Sequence, residues 1–422
     1  MPGGRTLAEW LAYQETLHPQ AIDLGLERVR AVADRLGLLP LAGRSAIVGG
    51  TNGKGSTATL LAAMGRAHGA RVGLFTSPHL LRYQERIRID GAEVGDAALC
   101  AAFEQVEAVR PPQSLTYFEF NTLAALLVFR AAAVELTVLE VGLGGRLDAT
   151  NLVDADVAVL CSVAMDHREW LGDTLEAIGA EKAGIFRAGK PVVLGSAQMP
   201  ATVRAALAAL DNRPVVVGED IRWRVHADGR WDVHGAGIGF QALAPPALAG
   251  EIQYRNAATA LAALRALLAP RAPEPAAVSA ALQAVRLAGR LQIVNGPVEW
   301  VFDVAHNEAA AALLATQLRA RPATGRTLAV FAALGDKDIG AIAAQLDPLV
   351  DHWLLCQLPG ARALEPTQLQ RRMGRLRGTS ELAGEVAAAA ALAAARAQPG
   401  DRVLVCGSFH TVGPALAARR LY

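Results

Sequence analysis

Four cysteines in 422 residues, at Cys100, Cys161, Cys356 and Cys406 with no CxxC pair, supply neither a disulfide framework nor a thiolate metal centre of the usual spacing. Each is expected to fill a core position in a protein of a reducing compartment. A long basic run is also missing, and 41 Lys+Arg against 40 Asp+Glu leave a formal net charge of +1, so nothing suggests an electrostatic footprint for nucleic acid. Apolar runs are short: the Ala-rich stretch 386–395 is well below the roughly 20 residues that cross a bilayer. The amino-terminal MPGGRTLAEWLAYQE has charges where a secretory leader needs an apolar stretch. No internal repeat of fixed period is present. A cytoplasmic monomer, bound to no membrane, is expected.

What is present is a globular composition, 52% hydrophobic and 19% charged. The length exceeds what one core usually serves, so two domains are expected. The chain is organised around residues 45–57, SAIVGGTNGKGST. Residues 45–49 are apolar and run into glycines, as a buried strand feeding a tight turn does; 56–68 have the pattern of a helix that Gly69 ends. A strand, a glycine turn with a lysine and a helix make a phosphate cradle. Its backbone N–H groups and helix N-terminus face the anion, and Lys54 adds a full charge. The spacing differs from GxxxxGK[ST], being shorter before the lysine and carrying Gly55 after it. A surface turn with a solvated lysine is the bland alternative.

In chain order, helices are expected over 6–13 and 26–36, a second strand over 72–76 ending in Ser77-Pro78-His79, and a helix over 96–108. Residues 116–119 then lead into a strongly apolar helix. Residues 136–141, LTVLEV, form a strand interrupted by Glu140, and GLGGRLDATN follows. A glutamate inside a buried strand is costly unless paired or bound to a cation, Arg146 being the alternative partner. A further strand over 155–163 precedes Asp166-His167, and a helix over 174–183 carries Glu181 and Lys182. This alternation implies a mainly parallel, doubly wound sheet. From 191 to 241 the pattern becomes β-rich, with a hairpin signal at Asp228-Gly229. Helices over 255–268 and 274–285 lead to Leu287-Ala288-Gly289-Arg290, after which strand–helix alternation restarts. The expected architecture is α/β: a P-loop-type domain over 1–287 and a smaller Rossmann-like domain over 288–422.

A nucleoside triphosphate needs a metal, and magnesium prefers hard oxygens; Ser77 and Glu140, both at strand ends beside the loop, are the candidates. Ser77 before a proline could equally be a turn starter. Lys182 is out of place among them, since an ammonium repels magnesium; its bland alternative is an ion pair with Glu181.

The segments GTNGKGS, SPHL, TYFE, LEVGLGGRLDATN, DH…LG…EKAGIF, GR and DVAHN occur in this order between about residues 23 and 410. Together they resemble the folylpolyglutamate synthase family of the Mur-ligase superfamily. The stretch after His167 reads REWLGDT, a departure that leaves the motif's ends intact. The resemblance implies an ATP-dependent ligase adding L-glutamate to dihydropteroate, and further glutamates to tetrahydrofolate, through an acyl phosphate. ATP would be held by Thr51, Asn52, Gly53 and Lys54, with Gly55 and Ser56 following, and by Asn256, Arg290, Asp303 and His306. Two magnesium ions are implied, one on Ser77 and Glu140, a second with help from His167, which could instead be an indirect or core histidine. Lys182 matches the lysine that carries a carbamate (N6-carboxylysine), which replaces the misplaced cation with an anion. The dihydropteroate pocket would fall on Asp23 and Leu24, on Thr116, Tyr117, Phe118 and Glu119, and on Leu147, Asp148 and Ala149. Lys54, Glu140, His167 and Lys182 are the expected catalytic set.

AIDLGLERV and LTYFE favour members with both activities over one that only extends the glutamate tail. A Mur ligase acting on a nucleotide sugar would need about a hundred more residues before Lys54. A nucleotide-dependent regulatory module would not need Glu140, His167 and Lys182 together.

Overall fold

The computed structural model describes residues 4–360 and 362–422. The chain divides into two compact units. Met1–Val163, Trp170–Pro246 and Tyr254–Val285 form one; Ala164–Glu169, Ala247–Gln253 and Arg286–Tyr422 form the other.

Strand β1 (Arg44–Gly49) is the centre of the first unit, its last five residues buried as an apolar run with both faces covered requires. The other strands of its sheet are β2 (Val72–Phe75), β3 (Ile87–Ile89), β4 (Ala92–Glu93), β5 (Leu136–Glu140), β6 (Val157–Leu160), β7 (Val192–Leu194) and β8 (Val215–Val216). Among the described residues they lie in the order β4-β3-β2-β5-β1-β6-β7-β8. All neighbours are parallel except β2–β3 and β3–β4, a short antiparallel edge that the apolar pattern does not announce. Val48 is level with Glu140 and Gly49 with Leu160, so β1, β5 and β6 end together. Ligands of open α/β sheets bind at such shared carboxyl ends.

Two stretches differ from expectation. The strand expected over 155–163 is only Val157–Leu160, because the residues after it leave the ladder to meet the glycine turn. The stretch from 191 begins with β7 and a helix, Ala201–Ala209, and turns into antiparallel β structure only afterwards, in β9 (Arg222–Val225), β10 (Trp231–Gly235) and β11 (Ile238–Leu243). The helix Tyr117–Ala131 is buried along most of its length and starts at Thr116, whose side chain caps it while Glu119 reaches back to the Thr116 N–H. Trp10, Tyr83, Phe103 and Phe120 pack with it in one aromatic core.

In the second unit β12 (Gln292–Val294), β13 (Glu299–Asp303), β14 (Thr327–Phe331), β15 (His352–Gln357), β16 (Thr379–Glu385) and β17 (Arg402–Cys406) lie in the order β12-β13-β17-β14-β15-β16, parallel but for the β12–β13 hairpin. No helix among the described residues is long and apolar enough to cross a membrane.

Candidate active site

The glycine turn of the first unit is held open by its own backbone geometry. Gly50 and Gly53 have φ of +141° and +90°, a region that side chains avoid. A Cβ on Gly50 would lie 3.1 Å from the Cβ of Cys161, and one on Gly53 3.0 Å from Oδ1 of Asn256. Gly53 caps the helix Lys54–Ala67, which begins two residues before Ser56, and the Thr57 N–H makes an early helical bond to the Gly53 carbonyl. Ser162 fastens the far side: its carbonyl accepts from the Thr51 N–H at 2.8 Å and its hydroxyl oxygen from the Asn52 N–H at 3.0 Å. Its hydroxyl donates to the Asn52 carbonyl at 2.9 Å. Lys54 folds over the turn, its Nζ 3.1 Å from the carbonyls of both Gly50 and Thr51.

The strand ends add oxygen. Glu140 is 3% exposed, and one of its carboxylate oxygens accepts from the Ser77 N–H at 3.1 Å, which brings these two residues side by side. Arg146, the alternative partner for Glu140, pairs instead with Glu181 at 2.7 Å. Lys182 is 5% exposed and donates to the Gly50 carbonyl at 3.1 Å, the same oxygen that Lys54 uses. Two ammonium groups thus converge on one carbonyl.

The three segments expected to hold dihydropteroate are linked in the same unit. Arg28 pairs with Asp23 at 2.7 Å and with Glu119 at 3.2 Å, and it donates to the Asp23 carbonyl at 2.7 Å, which ties the loop carrying Leu24 to the start of the helix Tyr117–Ala131. The Phe118 ring lies against Gly142, where a Cβ would come within 2.6 Å of it, and 5.7 Å from the Phe75 ring. Asp148 accepts from the N–H groups of Leu143 and Thr150 and from the Thr150 hydroxyl, so its carboxylate braces the loop from Leu147 to Ala149 from within. Burial pushes its carboxyl above the usual range, against the pull of those bonds.

His167, Arg290, Asp303 and His306 belong to the second unit. Asp303 closes the turn after Arg290: its two oxygens accept from the N–H groups of Leu291 and Ala305, both at 2.8 Å. Burial raises its carboxyl, with the Arg290 charge opposing. The Arg290 guanidinium lies over the Phe409 ring at 5.1 Å. His306 has Nδ1 2.8 Å from the Val304 carbonyl and Nε2 3.6 Å from Asp166, so both ring nitrogens face oxygen.

Asp166 is the hub of this cluster. It accepts from Lys337 Nζ at 2.6 Å and from Asn307 Nδ2 at 3.0 Å. Burial disfavours its charge, but the facing His306 imidazole and the Lys337 ammonium outweigh that and hold the carboxyl well below the usual range. His167 sits at φ +50°, a strained value for a histidine, with Nε2 3.4 Å from Lys337 Nζ. Motif reasoning missed Arg28, Ser162 and Lys337. Arg28 is inside the quoted AIDLGLERV segment, whereas Ser162 and Lys337 have no local signal.

A divalent ion has a hard-oxygen pair in Ser77 and Glu140. Among the described residues no group of three or more His, Cys, Asp or Glu side chains is arranged to hold a metal ion by itself. Magnesium needs no more than one or two protein ligands, filling its octahedron with water and phosphate oxygens, so the pair fits it. At His167 one imidazole nitrogen lies 3.4 Å from the Lys337 ammonium.

The chain matches the family models described as Mur ligase middle domain, over residues 48–264, and Mur ligase, glutamate ligase domain, over 289–409. It is 45% identical over 410 residues to the dihydrofolate synthase/folylpolyglutamate synthase of Escherichia coli K12, covering 96% of this chain and 94% of that one. The structure of Escherichia coli FolC in complex with DHPP and ADP superposes with a TM-score of 0.92 at 44% identity and covers 99% of each chain. A bifunctional folylpolyglutamate synthase/dihydrofolate synthase with Mn, AMPPNP and L-glutamate bound gives a TM-score of 0.90 at 42% identity, over 99% of this chain and 98% of that one.

Proposed function

This chain belongs to the Mur ligase family, in its dihydrofolate synthase/folylpolyglutamate synthase branch, and from that premise we infer an ATP-dependent ligase that joins L-glutamate to dihydropteroate, giving dihydrofolate, and adds glutamates to tetrahydrofolate. The observation that carries this is the shared carboxyl end of β1 and β5: β1 feeds the glycine turn with Lys54 and ends level with Glu140, which is bonded to Ser77.

The acceptor's carboxylate attacks the γ-phosphorus of ATP and ADP leaves, giving an acyl phosphate. The α-amine of glutamate then attacks the acyl carbon and inorganic phosphate departs. Lys54 needs only to leave two carbonyl oxygens to reach the phosphates, and the N-terminus of the helix Lys54–Ala67 adds partial positive charge beside it. Thr51, Asn52, Gly53, Gly55 and Ser56 line the phosphates in this scheme, and Asn256, Arg290, Asp303 and His306 complete the nucleotide contacts. The proposed complement of ions is two magnesium. Ser77 and Glu140 would hold one, whose charge helps neutralise the triphosphate when bound. His167 would help hold the second. A carbamate on Lys182 is supported by its crowding: with Lys54 on the same Gly50 oxygen, replacing one ammonium by a carboxylate removes a repulsion. A carbamate carbon signal in NMR under labelled carbon dioxide, absent from Lys182→Ala, would test it.

Dihydropteroate is placed on Asp23, Leu24, Thr116, Tyr117, Phe118, Glu119, Leu147, Asp148 and Ala149. The Phe118 face offers stacking for a flat heterocycle, and Arg28 keeps the segments together. Residues 1–287 are assigned to ATP and pteroate and 288–422 to glutamate. The chain is taken to act as a cytoplasmic monomer; sedimentation at working concentration tests the second point.

The deciding experiment supplies ATP, L-glutamate and magnesium with dihydropteroate, then with tetrahydrofolate, and follows product mass. One glutamyl increment on each acceptor is expected. An increment on tetrahydrofolate alone would reduce the assignment to a folylpolyglutamate synthase; none on either would overturn it.

A further inference from the structure

Arg255 is a cation that the catalytic scheme leaves without a task. It lies in the first turn of the helix Ile252–Leu268, a turn that carries no acid. A positive charge at a helix N-terminus opposes the macrodipole. The side chain is half-buried, and among the described residues its guanidinium has no hydrogen-bond or ion-pair partner. Burial lowers its affinity for its proton, a direction that an acidic neighbour would have reversed. A guanidinium in such surroundings costs stability unless something anionic arrives.

Its location says what that would be. The next residue, Asn256, has its Oδ1 3.0 Å from where a Gly53 side chain would begin. The Cys161 thiol, whose Cβ lies beneath Gly50 and Gly53, feels the charges of both Arg255 and Lys54. Two cations from different elements, one on the helix after the turn and one on the helix Ile252–Leu268, therefore act on the same buried thiol beneath the glycine turn. Like charges collected about one concave backbone are arranged for an anion.

We propose that Arg255 is a further nucleotide contact, its guanidinium donating to a phosphate oxygen of the bound adenine nucleotide across the turn from Lys54. This rests on the glycine turn being the nucleotide site. A fork of donors suits a phosphate better than a point charge does, which explains an arginine at this position.

The test uses the full chain and two readouts. ADP binding is measured by calorimetry with magnesium present, and thermal unfolding without nucleotide, for the native chain, Arg255→Met and Arg255→Lys. Loss of a charge-assisted phosphate contact is expected to weaken ADP about ten- to a hundredfold in Arg255→Met, with Arg255→Lys between the two. The Tm without nucleotide is expected to stay level or rise in Arg255→Met, since an unpaired, half-buried charge has gone, and the Tm gain on adding ADP is expected to shrink. In turnover, KM for ATP rises while KM for dihydropteroate holds. Native ADP affinity in Arg255→Met, or a lower nucleotide-free Tm with unchanged affinity, would overturn the proposal. Failure of the native chain itself to bind ADP would remove the nucleotide site and this contact with it.

Discussion

Lys54 and Lys337, one in each unit, are held in opposite ways. In the first unit Lys54 rests on two carbonyl oxygens, at 3.1 Å each. In the second, Lys337 is 6% exposed and faces the Asp166 carboxylate at 2.6 Å, with Asp336 at 3.5 Å. Carbonyl dipoles offset part of a charge and a carboxylate offsets all of it. The glycine turn thus retains positive potential for a visiting phosphate, whereas the Asp166 cluster is neutralised from within. One is built to receive charge and the other to fix positions: Asp166 links Lys337, Asn307 and His306, and holds the backbone beside His167 through its N–H.

The largest effect that would break this contrast concerns turnover. Lys54→Ala and Glu140→Ala are each expected to lower phosphate release about a thousandfold or more with both acceptors, since each removes a group proposed to act on the transferring phosphoryl. A near-normal rate in either would sink its assigned role.

Stability separates the units next. Lys337→Met leaves a buried carboxylate unpaired and is expected to cost about 3–5 kcal/mol in urea unfolding of the second unit. Lys54→Met should cost less than about 1 kcal/mol, because no charge is stranded. Equal costs would erase the difference between the two lysines. The Asp166 carboxyl titrates far below its unfolded value of about 3.9, so the stability it contributes is present in full above about pH 5 and shrinks as pH falls through and below that value. Asp166→Asn should remove that acid-side slope.

Smaller effects sharpen the picture. Ser162→Ala removes both hydroxyl bonds to Asn52 and is expected to cost about 1–2 kcal/mol, with weaker ADP binding as the turn loosens. Arg362 reaches Asp336 at 2.7 Å with 54% of its side chain exposed, so Arg362→Ala should stay within about 1 kcal/mol by the same unfolding assay.

What could be seen in the sequence is what is local. A strand, glycines and a lysine are adjacent in the chain, and Ser77 and Glu140 end strands whose apolar runs are plain. Thr116 and Glu119 have the spacing of a capping box. Long-range partners have no such mark. Nothing near Ser162 reveals that it braces Asn52, 110 residues earlier. Lys337 meets Asp166 across 171 residues of chain. The pairing of Arg146 with Glu181, where sequence spacing suggested Glu140, is of the same kind. The helix Ala201–Ala209 escaped notice because its short Ala-rich run lies beside stronger β signals.

The central claim is that a carboxylate of the folate acceptor is activated as an acyl phosphate in a site built on the glycine turn. Dihydropteroate carrying heavy oxygen in its carboxyl group, incubated with ATP, L-glutamate and magnesium, tests it most directly. One labelled oxygen is expected in the inorganic phosphate released for each glutamate joined. Unlabelled phosphate alongside product would contradict the account.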